Sequence, residues 1–148
     1  MKQLSSLVFI FLFIGCNSQA DITDSLTAPE TFAFQILDKN TGENVFSNKT
    51  YDPEKITVKN LDSKDLVQHH FISDNNLDII VLENVGRESD NINYSINVND
   101  KSIFELHVDA NLVKKDDSEF EYQNVEITNT AFKKDETSGV YNIFASLD

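Results

Sequence analysis

The chain has 148 residues, 40% hydrophobic and 25% charged, with only four glycines and two prolines. That suits one folded domain and excludes a linker or a collagen-like protein. Twelve basic residues face 25 acidic ones for a net charge of −13, and no basic cluster exceeds Lys-Lys, which argues against nucleic acid and against electrostatic adhesion to anionic lipid.

The first predicted element is a leader. Lys2 gives a short positive start, residues 7–14 (LVFIFLFI) are an unbroken apolar run, and Gly15 closes it. This is the layout of a secretory signal. The run is far shorter than the ~20 apolar residues needed to cross a ~30 Å hydrocarbon layer. The single cysteine, Cys16, follows at once, so no internal disulfide can form and the domain must stand on its core.

Phe13-Ile14-Gly15-Cys16 resembles the lipobox of bacterial lipoproteins, with Phe13 where that family usually has Leu. The resemblance implies that Cys16 receives a diacylglyceryl group and that signal peptidase II cuts between Gly15 and Cys16. It also leaves the new amino terminus open to acylation. Two or three chains at about 0.8 kcal/mol per buried CH₂ make a firm membrane anchor. In the alternative reading, Cys16 is incidental and an ordinary peptidase cuts after Ala20, at Ser18-Gln19-Ala20. Asn17 stands where an Asp would resemble an inner-membrane retention signal, which implies the outer membrane. The Phe, Asn, Asp and Lys usage resembles lipoproteins of the Bacteroidetes, leaving periplasmic face and cell surface both open.

Residues 1–15 are thus expected to be a cleaved signal peptide and residues 16–30 a lipidated terminus and flexible tether. Residues 17–30, a largely polar stretch of 14 residues, have a root-mean-square reach of ~20 Å. Residues 31–148 form the expected domain. Its period-2 pattern begins with Phe32, Phe34 and Ile36. A turn at residues 38–42 precedes a return at 43–46, and Tyr51-Asp52-Pro53-Glu54 is a second turn. Strands are predicted at 55–60, 66–72 and 77–83.

The clearest alternation is Ile92, Tyr94, Ile96 and Val98, each separated by Asn or Ser. A tight turn at Asn99-Asp100-Lys101 leads into residues 102–109, with Phe104, Leu106 and Val108 inward. Along 120–128 the apolar parity switches between Tyr122 and Val125, which predicts a bulge. Val140 to Ala145 is the last strand. Short strands without an amphipathic helix predict an all-β sandwich of about seven to nine strands. The segments Asp38-Lys39-Asn40-Thr41-Gly42-Glu43 and Ser138-Gly139-Val140-Tyr141-Asn142-Ile143 resemble immunoglobulin-like or transthyretin-like modules of secreted bacterial proteins.

Catalytic chemistry has no foothold in the sequence. There is no G-x-S-x-G elbow, and no two glycines lie close enough for a phosphate loop, so no enzyme, no catalytic residue and no cofactor beyond the lipid on Cys16 is expected. His69 and His70 are neighbours in a predicted strand and point to opposite faces, and His107 shares a face with Glu105 and Asp109. None of these predicts a zinc site, which wants three or four convergent ligands, and no metal ligand is assigned. Tyr51, Tyr94, Tyr122 and Tyr141 read as core or sheet-edge packing rather than a sugar platform. Asn48-Lys49-Thr50 and Asn93-Tyr94-Ser95 match the glycosylation sequon by chance. The expected function is a lipid-anchored, non-catalytic binding or structural accessory of the cell envelope, with an envelope protein or glycan as partner. The alternative is a calcium- or glycan-binding module using the loops from Asp74 to Asp78 or from Lys114 to Glu119.

Overall fold

The computed structural model describes residues 31–74, 77–87, 89–114 and 119–146. The expected signal peptide, Cys16 and the expected tether therefore lie outside the described residues. Ten strands are defined: β1 (Phe32–Asp38), β2 (Ile56–Asn60), β3 (Leu66–Val67), β4 (His70–Asp74), β5 (Leu77–Leu82), β6 (Asn91–Val98), β7 (Lys101–Lys114), β8 (Glu119–Thr128), β9 (Ala131–Lys134) and β10 (Tyr141–Ala145). They form two five-stranded sheets, in the orders β4-β5-β1-β10-β9 and β3-β2-β6-β7-β8. The chain is an all-β sandwich. No helix among the described residues is long and apolar enough to cross a membrane.

Each sheet buries the face that the period-2 pattern assigned to it. Phe34 and Ile36 of β1, Ile80 of β5 and Ile143 of β10 meet Ile96, Phe104 and Leu106 of the other sheet, all fully buried. The Phe34 ring lies 5.0 Å from Phe104 and 5.7 Å from Tyr141, so an aromatic cluster joins the sheets at their middle. Side chains interdigitating between two inner faces are the ordinary source of sandwich stability. With no disulfide available, this core carries the domain.

The turns follow the local chemistry. Asn99 and Asp100 have φ of 52° and 63° and link β6 to β7 through a two-residue loop, the geometry in which two positive φ values match the twist of a hairpin. Asp52 caps one turn of 3-10 helix over Pro53–Lys55 through its side chain. The predicted bulge is present in β8. His107 and Asp109 of β7 oppose Glu126 and Gln123, so three steps on β8 match two on β7. Asn124 absorbs the extra residue at φ 50°, and Tyr122 and Ile127 both turn toward the core.

Three elements differ from the pattern. Residues 43–46 make no strand: the Asn44 side-chain oxygen accepts from the Phe46 and Ser47 amides and folds the chain into a turn. Only an isolated bridge from Leu37 to Asn44 remains of the expected hairpin. The predicted strand 66–72 is two strands in different sheets, since Val67 pairs with Val58 of β2 while Phe71 pairs with Ile80 of β5. Both side chains reach the core, one from each sheet, and the chain crosses over between them at Gln68 and His69. β9 is additional, an exposed strand paired with β10. The split of 66–72 and the extra edge strand give ten strands instead of the seven to nine expected.

Candidate functional site

Gly15 and Cys16, the expected cleavage and lipidation residues, fall outside the described residues. So do Asn75 and Asn76 in the loop from Asp74 to Asp78, and residues 115–118 between Lys114 and Glu119. Of the first loop, Asp74 is exposed at the end of β4, whereas Asp78 is only 7% exposed. The Ser47 hydroxyl donates to the Asp78 carboxylate, and the Asn44 amide donates to the Asp78 carbonyl at 2.9 Å. Asp78 shares the inward parity of Ile80, and Asp74 opposes outward-facing Leu77. The two carboxylates therefore do not converge, and Asp78 works as a tie between the loop after β1 and the start of β5. The physical reason is the parity of the strand, which turns Asp78 inward.

The histidines separate as well. His69 lies in the crossover, half-buried, while exposed His70 has its Nε2 3.6 Å from Glu83. His107 Nε2 is 3.7 Å from Glu105, and its Nδ1 donates to Asn93 at 2.6 Å. Among the described residues, no three His, Cys, Asp or Glu side chains gather as a metal ion would require. The tyrosines pack on the core: Tyr141 within it, and Tyr51, Tyr94 and Tyr122 against it. The Tyr122 hydroxyl donates to the Val85 carbonyl at 2.7 Å.

The two outer faces have opposite chemistry, a consequence of which residues fill the outward positions of each strand. On β6 and β7 these are Asn91, Asn93, Ser95 and Asn97, then Glu105, His107 and Asp109. They form a lattice of hydrogen bonds. Asn93 donates to Asp62 at 2.9 Å and to Asn91 at 2.7 Å. Asp109 accepts from Asn91 at 3.0 Å and from Asn124 at 2.7 Å. The Asn93 amide of the second sequon is thus committed within the sheet. Cross-strand polar pairs of this kind stabilise a sheet by roughly 0.2–1 kcal/mol each. The other sheet carries an apolar patch outside on β4 and β5, with Ile72 of β4 45% exposed, Leu77 of β5 51% exposed, and Val81 almost covered although it faces away from the core.

A cleft of about 390 Å³ opens where the crossover from β3 to β4 leaves a gap at the side of the sandwich. Amide side chains of Asn60, Gln68 and Asn84 line it, with the His70–Glu83 pair. Arg87, the only arginine of the chain, lies on one wall and half-buried Tyr94 on another. The volume falls within the usual range of small-ligand sites. Planar amide, carboxylate and guanidinium groups beside an aromatic ring can match paired hydroxyls of a polar ligand with both donors and acceptors. Sequence reasoning missed this cleft, because its walls come from three separated stretches that only the crossover brings together.

The electrostatics single out one further turn. Asp135, fully exposed between β9 and β10, accepts from the Ser138 amide at 2.8 Å, the Ser138 hydroxyl at 3.0 Å and the Thr137 amide at 3.0 Å. The Ser138 bonds hold its carboxyl below the usual 3.8, with Thr137 and Lys133 adding to the effect. Such a turn is structural. The chain matches no protein-family model, no curated protein and no solved structure.

Proposed function

We propose that the protein is a lipid-anchored lipoprotein of the cell envelope whose β-sandwich serves as a non-catalytic binding or structural accessory. The observation that carries this reading is Phe13-Ile14-Gly15-Cys16 at the end of the apolar run 7–14, with the only cysteine of the chain at the acceptor position. A domain that folds on an apolar core without disulfides is compatible with export. Asn17 favours the outer membrane over the inner. The anchor is tested by Cys16→Ser, which should abolish incorporation of a fatty-acid probe and release or mislocalise the protein. A Cys16→Ser chain that still labels and still sediments with membranes overturns the reading.

A second reading is favoured by one observation, the polar cleft with Arg87 and Tyr94 on its walls. In this reading the accessory binds a glycan there, instead of through the loops at Asp74–Asp78 and Lys114–Glu119. Calorimetric titration of the full chain with a panel of neutral saccharides tests it. Heat that disappears in Arg87→Ala supports the cleft, and no heat above dilution with any saccharide rules the reading out.

A further inference from the structure

Among the described residues the sandwich has four edge strands, and three of them carry a feature that discourages pairing with another chain. β3 is two residues long. β9 is four residues long and ends in Lys133 and Lys134. β8 is bulged at Asn124 and bears Glu121 and Glu126. Shortness, charge and bulges are the usual protections of a free edge. β4 is the least protected of the four, with a single acidic residue, Asp74, at its end. It runs five residues, His70–Asp74, with no Lys, no Pro and an unbroken register against β5.

The outward face behind this open edge is apolar between His70 and Asp74. Ile72 sits directly across from Ile79 and is 45% exposed, and Leu77 beside it is 51% exposed. Two of the four most exposed large apolar side chains among the described residues are therefore on this one hairpin. An open edge next to an apolar face gives backbone hydrogen bonds for affinity and side chains for burial.

We propose that two copies of the chain pair antiparallel through β4, with Ile72 opposite Ile72 of the second copy, joining two five-stranded sheets into one of ten. Hydrogen-bond complementarity and pattern select this occupant and this register. Centring on Ile72 sets His70 against the second copy's Asp74, and Asp74 against the second copy's His70, so an imidazole N–H meets a carboxylate acceptor in each pair. The same register aligns Ile79, Ile72 and their two symmetry mates in a single row on the outer face. It is a self-complementary arrangement, as a two-fold interface must be. Both copies are strongly acidic, so their long-range repulsion opposes assembly and is screened by salt.

Cysteine cross-linking of the full chain in intact cells tests the register. Opposed residues of antiparallel strands have Cα atoms about 4.5–5.5 Å apart, within disulfide reach. Two His70 positions would lie about 14 Å apart, at ~3.4 Å per residue. Under mild oxidation Ile72→Cys should therefore give a disulfide-linked dimer on a non-reducing gel, while His70→Cys alone, Asp74→Cys alone and the unmutated chain give no covalent dimer. Co-expression of the His70→Cys and Asp74→Cys chains should restore the dimer. Sedimentation velocity of the detergent-solubilised unmutated chain should show a dimer whose fraction rises from 0.05 to about 0.5 M salt, and Ile72→Lys should reduce that fraction at least tenfold. The proposal fails if Ile72→Cys stays monomeric, if it cross-links instead to another protein, if the single cysteines at 70 and 74 cross-link equally well, or if Ile72→Lys leaves the dimer unchanged.

Discussion

Phe34→Ala removes the side chain on which the two sheets close. Phe34 is fully buried on β1, a strand with neighbours on both sides, and its ring contacts Phe104 across the sandwich and Tyr141 on the adjacent strand. Removing a buried Phe ring costs about 3–5 kcal/mol, combining lost transfer energy with the cavity left behind. The upper half of that range is expected here, because the ring's neighbours are strands held in register on two sheets and cannot collapse freely into the space. Domains of this size are stable by about 5–15 kcal/mol, so the substitution removes roughly a quarter or more of the total. With a urea m-value of about 2 kcal/mol/M, the midpoint should fall by roughly 2 M. Phe132→Ala on edge strand β9 is the control, since Phe132 is 42% exposed and its loss should cost less than about 1 kcal/mol. A Phe34→Ala shift no larger than that of Phe132→Ala would refute the arrangement of the core.

The bulge and one turn give further tests. Asn124 holds φ 50° and donates to Asp109, so Asn124→Ala should lose about 1–2 kcal/mol in urea unfolding. Asn124→Gly, which tolerates the backbone, should lose less; equal losses would argue against a left-handed residue there. Asp135 should titrate below 3.8 by NMR, because its bonds to Ser138 and Thr137 favour the carboxylate. A folded-state value lowered in this way means that the turn's stabilisation is present above the unfolded value and is lost as pH falls through the folded one. The Ser138 amide shift should report the same transition and lose it in Asp135→Asn, and a titration at or above 3.8 would contradict the turn geometry.

The strands that face solvent on one side were legible, and those that do not obey a single face were not. β6 and β7 alternate over residues 91–96 and 104–109 because Asn, Ser, Glu, His and Asp fill the outward positions while Ile, Tyr, Phe, Leu and Val fill the inward ones. The register shift at Ile96, which leaves buried Ile103 as the extra residue, gave no parity signal. The bulge was legible as a parity switch between Tyr122 and Val125. Residues 66–72 looked like one strand because Val67, His69 and Phe71 keep one parity, yet Val67 and Phe71 serve different sheets. β9 left no signal, since all four of its side chains are exposed and no burial pattern marks it. Residues 45 and 46 are consecutive and both buried, which a strand with one inward face does not produce; the Asn44 turn accounts for them. The cleft depends on residues as far apart as Asn60 and Tyr94 and so on the crossover, which local pattern does not specify. Asp78 is a further case, a carboxylate expected at a loop and turned inward by strand parity.

The account rests on the bond between Gly15 and Cys16, and the mature amino terminus tests it most directly. Mass spectrometry of the protein purified from its native membranes should find a tryptic peptide running from Cys16 to Lys39, with a diacylglyceryl group on the cysteine. An unmodified mature chain that begins at Asp21, after Ala20, would contradict the account and return Cys16 to the discarded leader.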